Sequence, residues 1–304
     1  MPSARDCSWG SHALLLALPT GAIRFTGLSA PQARSLGSTY ARFITADNTA
    51  AEAAVVCAAR RWTTGPAIDP ERLAVAGLYT PLKLRGEHAI EVTGVNFQAR
   101  LPLQGDSGQA SLDVAREDDL VLANVIENFL RILSAHQALA QGGLVLHSAG
   151  LVFEGQAWIF AGRSGVGKTT LTRKAHSAGA VVLSDDVNLL LPVRDGYRAY
   201  AVPFTGEFGR SLDHTEGEDS YPVAGVVLLE QGEQLAAHRV TRATATARLL
   251  VGCPFVNTDE AETDRLLDNL EGLATRLPVI RLQNRREDTV ENIMKTLKRE
   301  LSHD

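Results

Sequence analysis

Residues 162–169 read GRSGVGKT, and this short segment constrains the fold more than any other part of the chain. It matches the pattern G-x-x-x-x-G-K-[ST], a phosphate-binding loop that follows a β-strand and opens an α-helix. The flanking residues fit that context, because 156–161 is an apolar run typical of a buried strand and 169–178 predicts a helix closed by Gly179. The sequence therefore predicts an α/β domain with a mixed sheet and helices packed on it.

The residue types in this loop suit the binding of a nucleotide's phosphates. Glycines permit backbone conformations that turn several N–H groups inward, so the loop and the start of the helix form an anion cradle. Lys168 is placed to reach the β and γ phosphates, and the Thr169 hydroxyl to ligate Mg²⁺. The predicted nucleotide-binding residues are Gly162, Arg163, Ser164, Gly165, Val166, Gly167, Lys168, Thr169 and Thr170.

Two adjacent carboxylates follow the loop after one short helix. The segment VVLSDD predicts a strand that ends at Asp185 and Asp186, 17 and 18 positions after Lys168. One carboxylate at such a strand end can hold Mg²⁺ through water, while its neighbour points elsewhere and is free to accept a proton from an attacking hydroxyl. The alternative for an Asp pair at this position is a turn or a cap for the next element.

His147 lies 15 residues before Gly162, on a strand predicted over 144–153. A tight turn at Glu154 and Gly155 joins this strand to the one that feeds the loop, so the two strands are predicted to be antiparallel. The two-residue period then places His147 near the phosphate end. A lone histidine on a strand is more often a packed core residue, and its position alone leaves both alternatives open.

Together, HSAG at 147–150, GRSGVGKTT at 162–170 and SDD at 184–186 resemble the catalytic domain of HPr kinase/phosphorylase and its related kinases, relatives of phosphoenolpyruvate carboxykinase. The resemblance covers about residues 141–230. It implies a P-loop domain of that type and a kinase that moves the γ-phosphoryl group of Mg–ATP to a serine hydroxyl. The resemblance implies that Lys168 binds phosphate and that Thr169 binds Mg²⁺. It implies that Asp186 is the general base and that His147 supports the phosphate site. Asp185 is then the carboxylate predicted to bind the metal.

The sequence also departs from that family. The family loop continues with Ser-Glu where this chain has Thr169 and Thr170, so one carboxylate near the metal is missing. A family glutamate that binds Mg²⁺ corresponds to Glu207 in PFTGEFGR if the loose alignment there holds; the alternative is a solvated loop acid. The family's catalytic arginine corresponds to Arg239 or Arg242, and the sequence does not decide between them.

The acceptor of the phosphoryl group is an unknown protein, peptide or small molecule, because the N-terminal region does not resemble that of HPr kinases. Alternatives to a protein kinase are a small-molecule kinase on the same fold, a nucleotide-binding sensor without transfer, and a plain ATPase.

The sequence patterns predict two domains. Residues 1–140 form a smaller α+β domain, for which acceptor recognition is a hypothesis, and residues 141–304 form the kinase domain. Within the first domain the patterns predict strands at 11–18 and 22–28, a helix at 30–44, a helix or strand at 49–61, a hairpin of 95–101 with 110–114, and a helix at 117–141.

Composition excludes several other classes of protein. The chain has 304 residues and a net charge of -5, so no basic face for nucleic acid is indicated. The longest apolar run, 13–18, is far shorter than the ~20 residues of a membrane helix, and we expect a cytoplasmic protein without membrane contact. Cys7, Cys57 and Cys253 are far apart, which argues against disulfides or zinc.

The related kinases form hexamers, which implies a homo-oligomer, although the apolar face of the last helix, 288–301, can instead pack on its own sheet.

Overall fold

The computed structural model describes residues 7–52, 54–62, 82–85, 89–94, 97–102, 109–115, 119–204, 206, 208–209, 212 and 217–302. The chain divides into two compact units, Met1–Leu133 and Ser134–Asp304. This division falls inside one long helix, Asp119–Ala140, whereas the sequence places the boundary after residue 140. Each unit has its own mixed sheet with helices.

The N-terminal unit is built on a seven-stranded sheet. Its strands are His12–Leu18 (β1), Gly21–Leu28 (β2), Val55–Arg61 (β3), Leu82–Arg85 (β4), Ala89–Gly94 (β5), Phe97–Pro102 (β6) and Ala110–Val114 (β7). Its helices are Ala30–Thr39 (α1), Asn48–Glu52 (α2) and Asp119–Ala140 (α3), the last of which continues into the second unit. The strand order is β1-β2-β3-β7-β6-β5-β4, in which β2, β3 and β7 are parallel and β4 to β7 form an antiparallel meander.

Several predictions for this unit are confirmed and two are corrected. The hairpin of β6 and β7 is confirmed, but its predicted turn at 105–108 lies outside the described residues, as do Glu117 and Asp118 before α3. The helix predicted over 30–44 ends at Thr39, and Ala41–Phe43 forms a 3₁₀ turn instead. The 49–61 segment is neither one helix nor one strand, because it contains both α2 and β3.

The C-terminal unit contains the predicted site. Its strands are Leu144–Phe153 (β8), Gln156–Ala161 (β9), Val181–Ser184 (β10), Val187–Val193 (β11), Gly196–Tyr200 (β12), Ser220–Gln231 (β13), Ala236–Arg239 (β14) and Val279–Asn284 (β15). Its helices are Lys168–Ser177 (α4), Arg242–Leu250 (α5), Thr263–Arg276 (α6) and Val290–Leu301 (α7). The sequence patterns described above predict β8, β9, β10, α4 and α7, whereas β14 and α5 are not predicted.

The two long strands β8 and β13 pair with different strands along their lengths. The first part of β8 pairs with β11, and its second part pairs with β9 and β10. The start of β13 pairs with β12, and its remainder runs parallel to both β9 and β15. Strand β9 therefore lies between β8 and β13. The loop after β9 therefore has β8 and β10 on one side, and β10 leads to Asp185 and Asp186. The ends of β13 and β15 lie on its other side.

Helices α4 and α7 pack on the sheet that contains β9. Their residues Leu171, Ala175, Ile293 and Leu297 share one buried cluster with Trp158 of β9. Burial of such apolar side chains stabilises the fold by about 1.5–3 kcal/mol each. The apolar face of the terminal helix thus packs on its own sheet, and the oligomeric state stays a prediction.

The remaining sequence expectations concern membrane helices and cysteines. In the part of the chain described above, we find no helix with both the length and the apolar character needed to cross a bilayer. Cys57 and Cys253 are buried, and none of the three cysteines, Cys7 included, forms a disulfide in the structure.

Candidate functional site

The glycine loop joins β9 to α4, which begins at Lys168, so the predicted strand, loop and helix context is confirmed. Gly165 and Gly167 have φ values of 77° and 114°, in the left-handed region that favours glycine. A Cβ atom at either position would meet no atom within 4 Å, so backbone conformation rather than space requires glycine there. These conformations are those that let a loop turn its amides toward an anion.

Lys168 lies in the loop rather than in solvent. Only 7% of the residue is exposed, and its Nζ donates to the carbonyl oxygens of Gly162 at 2.8 Å and Arg163 at 3.2 Å. Burial lowers the pKa of Lys168, and the negative charge of Asp186 partly opposes that shift. The positive charge is therefore held next to the loop amides, where phosphate oxygens are expected to replace the two carbonyls as its partners.

The lowered pKa of Lys168 predicts that nucleotide binding takes up protons in alkaline solution. The free protein begins to lose the Lys168 proton below the usual lysine range, and a bound polyphosphate raises the pKa again. At pH about 9, we expect binding to be accompanied by net proton uptake at Lys168. Affinity should fall as pH rises through the lowered pKa. Calorimetric titrations of ATP in buffers with different ionisation enthalpies measure this uptake, and a binding enthalpy independent of the buffer would contradict the prediction.

Asp186 follows β10 and lies against His147 of β8. The Nδ1 atom of His147 is 3.2 Å from Oδ1 of Asp186, and Asp186 is only 6% exposed. The backbone is fixed as well, because Ser148 N donates to Asp186 O at 2.9 Å and Asp186 N donates to Ser184 Oγ at 3.3 Å. Asp186 also acts electrostatically on Lys168. The three predicted catalytic residues are thus brought together.

The buried side-chain amide of Asn188, which no sequence motif indicates, supports the pair of His147 and Asp186. Asn188 donates from Nδ2 to the carbonyl oxygen of Ser148 at 2.7 Å and to its Oγ at 3.0 Å. A Cβ added to Gly150 would lie 2.1 Å from Oδ1 of Asn188, so the adjacent strand needs glycine at that point. The available signal was one asparagine in the otherwise apolar strand VNLLLPV. Asn188 ties β11 to β8 immediately beside His147.

Asp185 faces a different partner from Asp186. Its Oδ1 accepts from the backbone N–H groups of Gly206 at 2.8 Å and Gly209 at 3.1 Å, and its Oδ2 accepts from Phe208 N at 3.1 Å. The Phe208 ring in turn packs 5.5 Å from the Arg173 guanidinium of α4. Asp185 thus links the end of β10 to the 206–209 segment, while Glu207, the other predicted metal ligand, lies outside the described residues.

The chemistry of the remaining oxygen donors fits Mg²⁺. Thr169 is exposed at the second position of α4, and Mg²⁺ needs only one or two protein oxygens because it keeps several waters. Three amide donors already engage the Asp185 carboxylate, so a direct Mg²⁺ contact there competes with them. Among the described residues, no group of three or more histidine, cysteine or acidic side chains forms a metal site. The metal roles of Thr169, Asp185 and Glu207 stay predictions.

The structure places the two predicted arginines differently. The guanidinium of Arg239 donates to Leu301 O in α7 at 3.3 Å, and Arg242 is the first residue of α5. A third arginine, Arg248, lies with Arg163 along a cavity of about 490 Å³ beside the glycine loop and forms an ion pair with Glu230 at 2.7 Å. No sequence pattern points to Arg248, because α5 itself is not predicted.

Comparison with protein families adds an independent finding. The family model described as "ScmC: SynChlorMet cassette protein ScmC" matches residues 110–287, more than half of the chain. The chain belongs to the ScmC family. The matched region contains the glycine loop, His147 and the Asp pair of this chain. No curated protein matches the sequence.

The solved structures that match this chain include one of a kinase/phosphatase. It is that of the Hpr(Ser) kinase/phosphatase from Coxiella burnetii, which is 13% identical and aligns with a TM-score of 0.31 over 51% of this chain and 88% of that chain. Such a low score indicates only weak fold-level similarity. The family that the sequence itself matches is ScmC.

Proposed function

We propose that the C-terminal unit is a phosphotransferase, which moves the γ-phosphoryl group of Mg–ATP to a hydroxyl group, most simply a serine of a protein or peptide. The observation that carries this proposal is the pair of His147 and Asp186, 3.2 Å apart, beside a glycine loop whose buried Lys168 is influenced by the Asp186 charge. A protein that only binds a nucleotide needs the loop but has no use for a carboxylate held next to a histidine.

The loop and its lysine provide electrostatic stabilisation. Amides of Gly165 and Gly167 and the Lys168 ammonium bind phosphate oxygens and offset the charge that shifts toward the leaving oxygen. Mg²⁺, when bound through Thr169 and a nearby carboxylate, supplies further charge neutralisation. Because the transferring group needs little covalent assistance, positioning and electrostatics account for most of the rate enhancement.

Asp186 acts on the acceptor hydroxyl. Its carboxylate accepts the hydroxyl proton as the oxygen attacks the γ phosphorus, and the oxygen of the departing diphosphate takes the electron pair of the broken bond. The Nδ1 atom of His147 is within reach of a hydrogen bond to Oδ1 of Asp186, which orients the carboxylate. Asn188 and Ser148 hold the strand that carries His147. His147 is therefore a positioning residue in this mechanism.

The experiment that tests the proposal is a transfer assay. Purified protein is mixed with Mg²⁺, γ-labelled ATP and cytosolic extract from its source, and the label is separated by size, with Asp186→Asn as the control. Enzyme-dependent label on macromolecules supports the proposal. Label on small solutes other than phosphate would favour a small-molecule kinase, and release of free phosphate alone would favour an ATPase. Bound, unreacted ATP in every extract would favour the sensor and overturn the proposal.

Thr169 gives a prediction about the metal requirement of this reaction. Thr169→Ala removes a hydroxyl oxygen at the start of α4, so we expect the Mg²⁺ concentration for half-maximal activity to rise several-fold. Thr169→Ser, which keeps the oxygen, should behave as the wild type does. The measurement is a Mg²⁺ titration of transfer at saturating ATP. If the titrations of all three proteins coincide, Thr169 is not a metal ligand.

A further inference from the structure

A second cavity adjoins the glycine loop on the side away from Asp186. Its volume is about 560 Å³, and one wall consists of Gly165, Gly167, Thr170 and Lys174. Another wall is the segment 284–288, which starts at the last residue of β15. We call this space the Arg286 cavity. Small-molecule sites usually have volumes of about 300–1,000 Å³, so the cavity is large enough for a nucleoside.

The strand order gives this cavity its place along a bound nucleotide. In the proposed function, the reacting end of the nucleotide lies toward Asp186, on the β8 and β10 side of β9. The other end must leave the loop on the opposite side, where β13 and β15 end. The Arg286 cavity lies there, and it extends from the loop amides to the first turn of α4. A continuous path therefore leads from the phosphate cradle into the cavity.

Hydrogen bonds within the protein hold the wall formed by 284–288 in place. Lys174 of α4 donates from Nζ to the carbonyl oxygens of Arg286 and, at 3.0 Å, of Asp288. The buried Asp288 carboxylate accepts from Arg285 N at 2.7 Å and from the Arg285 guanidinium at 2.8 Å. These bonds fix the wall to the helix that starts at the glycine loop. Such preorganisation reduces the entropic cost of binding.

The chemistry of the lining suits a base and a ribose rather than more phosphate. Val166, Leu171 and Ile293 supply apolar surface, and Gln231 and Asn284 supply amide groups that can donate and accept hydrogen bonds. Arg285 is already paired with Asp288. In the described part of the chain, the exposed guanidinium of Arg286 forms no hydrogen bond or ion pair, which leaves it able to stack on an aromatic base.

The cavity next to Arg248 is less suited to this ligand. It contacts only the outer part of the loop, from Arg163 to Val166, and it does not include Gly167 or Thr170 among its described lining residues. Its arginine is engaged with Glu230 at 2.7 Å. The Arg286 cavity, by contrast, reaches the start of α4, where the amides of the phosphate cradle are concentrated.

We infer that the Arg286 cavity binds the base and ribose of the nucleotide whose phosphates occupy the glycine loop, with Arg286 stacked on the base. This inference rests on the proposed function, and it names the part of the protein that distinguishes a nucleoside triphosphate from a bare polyphosphate. It also assigns the 284–288 segment a role in substrate selection that is separate from the transfer chemistry at Asp186.

The test compares two probes by calorimetric titration of the full chain in the presence of Mg²⁺. The probes are ATP and inorganic tripolyphosphate, which has the phosphate chain without base or ribose. We expect Arg286→Ala to weaken ATP binding about 10-fold, while tripolyphosphate binding changes less than about two-fold. Arg299→Ala, which removes an exposed arginine of α7 away from both cavities, is the matched control and should leave both affinities unchanged. Arg248→Ala tests the other cavity.

Each outcome has a distinct meaning. Selective loss of ATP affinity in Arg286→Ala supports the inference. An unchanged ATP affinity, or an equal loss for both probes, overturns it and leaves the proposed function intact. Selective loss of ATP affinity in Arg248→Ala alone would move the nucleoside to the other cavity and also overturn it. If the wild type binds neither probe, the proposed function fails, and the inference fails with it.

Discussion

Lys168→Met is expected to weaken ATP binding by on the order of 100-fold and to remove detectable phosphoryl transfer. The Lys168 ammonium is buried in the loop and its two hydrogen bonds go to loop carbonyls, so it is already positioned where phosphate oxygens arrive. Charge-assisted hydrogen bonds to phosphate contribute about 1.5–3 kcal/mol each, and methionine offers none. Methionine keeps most of the side-chain volume and removes only the charge.

The folding of this variant should be unimpaired, which separates a functional effect from a structural one. Burial lowers the pKa of Lys168, which means that the folded protein disfavours its charged form. Removing the charge relieves this cost and offsets the loss of the two hydrogen bonds to loop carbonyls, so the midpoint of thermal unfolding should change little. Lys295→Ala, which removes an exposed lysine of α7, is the charge-matched control and should leave binding unchanged. If Lys168→Met binds ATP as the wild type does, the loop is not a phosphate site.

The site could be predicted from the sequence where it depends on local chain geometry. Strands β8 and β9 have the predicted bounds, because each is an apolar run between residues that form turns. The tight turn between β8 and β9 is confirmed by left-handed backbone at Glu154, with φ of 51°, and at Gly155, with φ of 74°. Since β9 leads directly into the glycine loop, this part of the site follows from contacts between neighbouring residues.

The parts that could not be predicted depend on contacts between residues far apart in the sequence. Lys174 contacts a turn that lies 112 residues later in the chain, and Asn188 contacts Ser148 across 40 residues. A periodic pattern gives no information about such partners. The parallel pairing of β2, β3 and β7 in the first unit is hidden for the same reason, because the order of strands in a sheet is not contained in any one strand.

At Asp185 and Asp186 the sequence predicts the directions of the side chains but not the distant partner of Asp185. The sequence predicted that adjacent carboxylates at a strand end point in different directions, and they do, since Asp186 faces His147 and Asp185 faces the 206–209 segment. The partner of Asp185 was not predictable, because a distant loop supplies the three amides. A substitution of each aspartate should therefore have a different consequence.

Asp186→Asn is expected to reduce phosphoryl transfer about 100-fold or more, while ATP affinity changes only a few-fold. Asparagine keeps the shape of the side chain, and its amide oxygen can still accept a hydrogen bond from His147. The backbone bonds of residue 186 to Ser148 and Ser184 are also unaffected by the change. What is lost is the basicity of the carboxylate, so the acceptor hydroxyl loses its proton acceptor. The measurement is the single-turnover rate of transfer together with an ATP titration.

Asp185→Asn is the matched control, because it makes the same chemical change one residue away. Its amide NH₂ would replace one of the two oxygens that accept from Gly206, Phe208 and Gly209, leaving at least one N–H without its acceptor. Loss of such a buried hydrogen bond costs about 1–3 kcal/mol, so the midpoint of thermal unfolding should fall. Asp186→Asn should lower the rate with little change in stability. If the two variants lose activity and stability in the same proportion, Asp186 supports the fold rather than the reaction, and the assignment of the general base is wrong.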